Sequence, residues 1–183
     1  MGKEKYMIRV VNVVATASLD RAVSLNQIAK TFSQITTYQP EIYHCVYFKS
    51  PHMHGKVSLF ASGKMISVGT KRVTDAINDL KYVAKLLEER NIARMVDEPR
   101  IHNIVVVVDV GKPLDIDELI HRLPGAMYEP EIFPGLVYKY KNFTLLIFAS
   151  GKIVCAGLRA ERQVEDVKLI VRTISNFCQN SVL

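Results

Sequence analysis

The residues best suited to chemistry are few. His52 and His54 stand two apart around Met53, a start on a metal site, but no further ligand follows in the pattern. They read as a solvated loop, and no metal or other cofactor is expected. No Gly-rich phosphate loop, nucleophile elbow or paired-carboxylate motif occurs, so nothing converges on a catalytic site and the chain is not expected to be an enzyme. Cys45, Cys155 and Cys178 form no C-x-x-C pair and leave an odd count, which fits a reduced, intracellular compartment, cytoplasmic or nuclear.

The charges are uneven. The 183 residues carry a formal net charge of +6, and all of it falls in residues 1–91, which hold 13 basic and 7 acidic side chains against 11 of each in 92–183. A basic excess points weakly to polyanions. No apolar run reaches the ~18 residues of a spanning helix, and the charged Met1–Tyr6 stretch is no secretory signal, so no membrane partner is expected.

The distinctive residues recur. Phe60-Ala61-Ser62-Gly63-Lys64 returns as Phe148-Ala149-Ser150-Gly151-Lys152, 88 positions on. Tyr38-Gln39-Pro40-Glu41-Ile42-Tyr43 returns as Tyr128-Glu129-Pro130-Glu131-Ile132-Phe133, 90 positions on, and Val11-Asn12-Val13-Val14 as His102-Asn103-Ile104-Val105, 91 on. Over 38–49 with 57–69 against their counterparts, 11 of 25 positions are identical and the blocks keep their order, so a whole unit was duplicated. The boundaries are 1–91 and 92–183, with 91–99 as the linker.

The elements that must position these residues read alike in both repeats. A β-branched strand over 7–16 leads into a helix at 25–33 with a Ser24/Gln27 capping box. Extended segments follow at 37–40, 43–49, 56–61 and 64–69, then a long helix over 71–90 with Val73, Ala76, Ile77, Leu80, Val83, Ala84 and Leu87 on one face. The second repeat runs from a strand at 101–109 through a helix opening at Asp115 and strands to 157, to a last helix over Val164–Phe177. The fold class is α+β, two pseudo-symmetric β-α-β-β-β-β-α repeats. In Leu145-Leu146-Ile147-Phe148 both strand parities are apolar, yet the helices suffice for one sheet face. The other face is either a second core or an exposed apolar binding surface. It carries Asn12, Val14, Phe60, Ile66 and Val68, then Asn103, Val105, Leu146, Phe148, Val154 and Ala156.

Residues 131–138 and 145–157 resemble the second repeat of the TATA-box-binding protein family, and Val11–Ala15 with 38–49 and 57–71 resemble its first. The resemblance covers about 8–178 and is closest to an archaeal-type minimal core. It implies a saddle-shaped, ten-stranded antiparallel sheet with helices on the convex face and duplex DNA under the other. The function it implies is transcription initiation at A·T-rich, TATA-like promoters. The minor groove there offers acceptors and no guanine amino group, and aromatic wedges kink the duplex, a mechanism this family itself exemplifies. By resemblance the wedges are Tyr43, Phe60, Phe133 and Phe148. Asn12 and Asn103 donate to base edges, Val14, Ile66, Val105, Leu146 and Val154 line the groove, and Val68 and Ala156 replace central threonines. Lys49, Lys64, Lys71, Lys139, Lys152 and Arg159 match phosphate-flanking positions. Glu129, Glu131 and Ile132 match the loop that meets the transcription factor B partner, through which RNA polymerase is recruited. An archaeal-type chain would work on the nucleoid in the cytoplasm, a eukaryotic one in the nucleus. Tyr43, His44, Ser58, Val68 and Ala156 depart from the family pattern and leave open a divergent paralogue that mainly scaffolds proteins.

Overall fold

A computed structural model describes residues 6–177. The first repeat runs β1 (Met7–Ser18), α1 (Leu25–Thr31), β2 (Thr36–Thr37), β3 (Cys45–Phe48), β4 (Lys56–Phe60), β5 (Lys64–Thr70) and α2 (Val73–Glu89). The second runs β6 (Arg100–Asp109), α3 (Ile116–Arg122), β7 (Leu136–Tyr140), β8 (Phe143–Ile147), β9 (Lys152–Leu158) and α4 (Gln163–Phe177). Within the first repeat the strands lie in the order β2-β3-β4-β5-β1, and within the second β6-β9-β8-β7. The β1–β5, β2–β3, β3–β4, β4–β5, β6–β9, β7–β8 and β8–β9 pairings are all antiparallel. The chain packs into two compact units, Asn12–Asn103 and the residues up to Val11 with those from Ile104 onward. No helix among the described residues is long and apolar enough to cross a membrane.

The cores follow from strand alternation. Val13, Ala15, Val46, Phe48, Val57, Leu59 and Met65 point to one side, are fully buried, and meet Ala76, Leu80, Val83 and Leu87 of α2, which lies on β4 and β5. Each such buried Leu or Val contributes roughly 1.5–3 kcal/mol. In the second repeat Ile104, Val106, Val108, Leu136, Leu145, Ile147 and Ile153 do the same with Val167, Val171 and Ile174 of α4. Ser24 and Asp115 accept from the amides of Gln27 and Glu118 at 3.4 and 2.9 Å, so both expected helix starts are N-capped. α2 ends with Asn91 in the left-handed region, φ 53°. The Asn91 and Ile92 amides return to Glu88 and Leu87, a Schellman stop. The linker is tied down: Asp97 accepts from the Ser18 amide at 2.7 Å and Met95 bridges to Leu19.

Two expectations need correction. The described residues form nine strands, where ten were implied, because the repeats are unequal at one edge. Thr36 pairs with Phe48 and Thr37 with Tyr47, and the Thr36 hydroxyl donates to the Phe32 carbonyl at the end of α1 at 2.9 Å. Ala126, which has no hydroxyl, stands at that place in the second repeat after Pro124 and a left-handed Gly125, φ 79°, and a single bridge, Met127 to Val137, remains. The second repeat is therefore β-α-β-β-β-α.

Candidate nucleic-acid interface

The strand faces turned away from the helices bring most of the singled-out residues together, repeat by repeat. Pairing sets the rows. Thr16, Ile66, Ser58 and Tyr47 lie side by side across β1, β5, β4 and β3. Val107, Val154, Leu146 and Val137 do so across β6, β9, β8 and β7. Asn12, Val14, Ile66, Val68 and Phe60 are half-exposed on the first face, and Asn103, Val105, Val154, Ala156, Leu146 and Phe148 on the second. Thr16, Cys45, Tyr47 and Lys56 share the first face, and Val107, Val137 and Thr144 the second, although the sequence reading passed over them. The period-two alternation that selects Asn12 and Val14 runs on to Thr16, and the one that selects Asn103 and Val105 runs on to Val107.

Each face carries a β-bulge at the same place. Between Val13 and Ala15 of β1 the opposite strand β5 holds one residue too many, and between Ile104 and Val106 of β6 the same is true of β9. Gly69 and Gly157 take the left-handed backbone there, with φ of 86° and 100°. The Gly69 amide, freed from the ladder, donates to Oδ1 of Asn12 at 2.8 Å. That bond fixes which end of the amide is which: the carbonyl is taken, and the NH2 is the end left to face outward.

The aromatic pairs differ between repeats. Phe133 meets Phe148 edge to face, ring centroids 5.8 Å apart. Gly135 makes the room, since a Cβ there would lie 2.7 Å from the Phe133 ring and 3.0 Å from the Phe148 ring. Cys45 occupies the Gly135 place in the first repeat, and Tyr43 packs on Tyr47 at 5.5 Å. The neighbouring Cys45 thiol raises the Tyr47 hydroxyl pKa above its usual value, and the Lys56 ammonium lies 4.1 Å over the Tyr47 ring. Tyr43 is 51% exposed, Phe133 half-buried.

The turns before the wedges match: in each, two successive amides, of Ile42 and Tyr43 or of Ile132 and Phe133, return to the carbonyl of Gln39 or Glu129 at 2.9–3.0 Å. They leave Glu129 and Glu131 exposed beside Ile132, which at 81% is the most exposed large apolar side chain described. Glu129, Ile132, Phe133, Gly135 and Val137 line a shallow pocket with Met127.

The cations are placed variously. Lys64 and Lys152 open β5 and β9 on the same parity as the groove-facing aliphatics, Lys139 shares the Val137 side of β7, and Lys71 and Arg159 follow β5 and β9; all are exposed. Lys49 differs, because its ammonium donates to the carbonyls of Gly55, His54 and Met53 at 2.7, 3.1 and 3.4 Å and holds that loop closed. The same loop is clamped to α2 by buried Asp79, whose carboxylate accepts from the Gly55 and His54 amides at 2.7 and 3.1 Å. His52 lies against the Tyr82 ring and His54 sits 3.9 Å from Asp75. Among the described residues no three His, Cys, Asp or Glu side chains group as metal ligands.

Each face of this make-up offers apolar area, an asparagine and a fringe of cations, and on the first the Asn12 amide is oriented by Gly69. The sequence profile described as "Transcription factor TFIID (or TATA-binding protein, TBP)" matches residues 7–90 and 98–177, one stretch for each repeat. The chain is 41% identical over 157 residues to a TATA-box-binding protein of Cenarchaeum symbiosum, covering 83% of this chain and 85% of that one. It is 33% identical over 178 residues to that of Archaeoglobus fulgidus, 94% of each. The solved structure described as Methanococcus jannaschii TBP superposes with a TM-score of 0.75 at 30% identity, over 92% of this chain and 98% of that one. Matched in both repeats and along nearly the full length of its relatives, the chain belongs to the TATA-binding protein family.

Proposed function

We propose that the chain is a transcription initiation factor that binds A·T-rich, TATA-like promoter DNA in the minor groove through the open faces of its repeats, 1–91 and 92–183. The observation that carries this reading is the Asn12 amide. With Oδ1 committed to Gly69, Asn12 presents only donors, and the minor groove of A·T pairs presents only acceptors. Beside it Val14 and Val68 exclude water and offer no acceptor to a guanine amino group. Phe133 and Phe148, with Phe60 and Tyr43, open base steps and bend the duplex, the mechanism this family exemplifies. Lys64, Lys71, Lys139, Lys152 and Arg159 flank the groove and hold phosphates. The acidic loop at Glu129, Glu131 and Ile132 takes a transcription factor B partner, and RNA polymerase follows.

The test compares mobility shifts on TATA-like and G·C-rich duplexes at about 150 mM salt, where phosphate contacts alone are weakened. Strong preference for the A·T duplex, lost in Asn12→Asp, is expected. Asn12→Asp keeps the Gly69 bond but turns an acceptor to the groove floor. Equal affinity for both duplexes refutes the reading.

A further inference from the structure

The duplicated strands allow the two faces to be compared place by place, and they are not chemically equal. Leu146 of β8 is flanked by Val154 and Val137 on the neighbouring strands. Its counterpart on β4 is Ser58, flanked by Ile66 and Tyr47. Thr144 and Val137 are answered by Lys56 and Tyr47. Leu146 has only valines beside it, and the nearest hydroxyl on its strand, Thr144, lies two residues away; Ser58 puts a hydroxyl at the middle place itself, beside a phenol and with the Lys56 ammonium two residues away. Ser58 is 9% exposed, and no group among the described residues takes its hydroxyl.

In the minor groove the guanine 2-amino group is the one donor that separates G·C from A·T. Against Leu146 it loses water and gains nothing. Against Ser58 it meets an acceptor with both lone pairs free, and the shorter side chain leaves space for it. We propose that Ser58 makes the first repeat accept a G·C pair at the step it covers, so that the element this chain reads is asymmetric: A·T throughout under the second repeat, with one G·C pair admitted under the first. This rests on the minor-groove reading above and adds a specificity-determining residue to it. It also gives a pseudo-symmetric protein a direction on DNA, because a G·C pair on one side of a palindromic A·T element selects the orientation that places Ser58 over it.

The experiment measures affinity by fluorescence anisotropy for three kinds of duplex: a palindromic A·T element, the same element with one G·C pair scanned through one side, and the element with G·C at both symmetry-related steps. At one step of the scan a single G·C pair should cost less than about three-fold, while the symmetric pair of G·C substitutions costs roughly ten-fold or more, the usual range for a mismatched base pair. Ser58→Leu should raise the A·T over single-G·C affinity ratio at that step by roughly ten-fold. Ser58→Ala, which keeps the space but not the hydroxyl, should raise it by less. Replacing the guanine by inosine, which lacks the amino group, should return the Ser58→Leu ratio to near one. A wild-type loss of ten-fold or more at every step, or a Ser58→Leu ratio equal to wild type, overturns the proposal while leaving the minor-groove reading standing. Failure to bind the all-A·T duplex overturns that reading itself, and this proposal with it.

Discussion

Ser67 and Cys155 hold the same place in the two repeats, on the helix side of their strands, and both are fully buried. The Ser67 hydroxyl has no partner among the described residues, and a buried, unmet hydroxyl costs about 1–3 kcal/mol. The second repeat avoids that cost with a thiol, which behaves as a small hydrophobe. Ser67→Cys should therefore stabilise the protein by about 1 kcal/mol, read as a higher urea midpoint at unchanged slope. A lower midpoint would mean that the site is too tight for sulfur. At Cys155 burial pushes the thiol pKa up to about 12, from an ordinary 9.0. Below pH 9 folded and unfolded chains both keep the proton and the stability is fully present. Between 9 and 12 only the unfolded chain gives it up, so stability falls by up to about 1.4 kcal/mol per pH unit. Cys155→Ala should be less stable than wild type at pH 8 and show a shallower alkaline decline. Equal slopes from pH 8 to 11 would show that the thiol ionises alike in both states.

At the scale of elements, the bulges join fold to site. Gly69 is uncrowded, its nearest neighbour to an added Cβ being the Gly55 Cα at 4.0 Å, so Gly69→Ala suffers from its φ of 86° alone. That conformation costs an L-residue about 1–2 kcal/mol. Relief by flattening the bulge would withdraw the amide from Asn12. The expected result is a lower melting temperature together with a weaker preference for A·T over G·C duplexes. A variant that melts lower yet keeps its preference would show that Asn12 is oriented without Gly69. Much of this was legible beforehand. Period-two alternation placed Asn12, Val14 and Ile66 on the open face of the first repeat and Leu146 and Val154 on that of the second, and the duplicated Gly-containing turns placed Phe60 and Phe148 at strand ends. The rest depends on contacts that no spacing encodes. That Phe133 meets Phe148 while Tyr43 turns to Tyr47 follows from Gly135 against Cys45, a comparison of volumes across strands. The edge strand is missing where Pro124, left-handed Gly125 and Ala126 replace Gln34, Ile35 and Thr36. Lys49 matches a phosphate position in sequence, but its protons go to three loop carbonyls because the 49–55 loop is two residues longer than its counterpart.

For the whole molecule, the duplication gives two open faces of similar make-up, preceded by turns of equal length and unequal charge. The second repeat carries both kinds of surface within a few residues. Phe133 packs on Phe148 at the open face, and Glu129, Glu131 and Ile132 project from the turn just before it. The first repeat has Gln39 where the second has Glu129, so the acidic pair exists on one side only. Two carboxylates beside a phosphate backbone are unfavourable for DNA binding, and removing their charge should leave the binary complex intact or slightly tighter. A cationic partner would lose by the same change, because a desolvated acid–base contact stripped of one member strands the other. Glu129→Ala with Glu131→Arg should therefore keep the shift of a TATA-like duplex and lose the supershift produced by a transcription factor B protein. The turn itself should survive, since it is built from the Glu129 carbonyl and the Ile132 and Phe133 amides and uses neither carboxylate. Loss of the binary shift would mean that this loop helps to seat Phe133 in the duplex. A normal supershift would mean that the partner docks elsewhere, with exposed Ile132 left as an apolar contact that the charges do not govern.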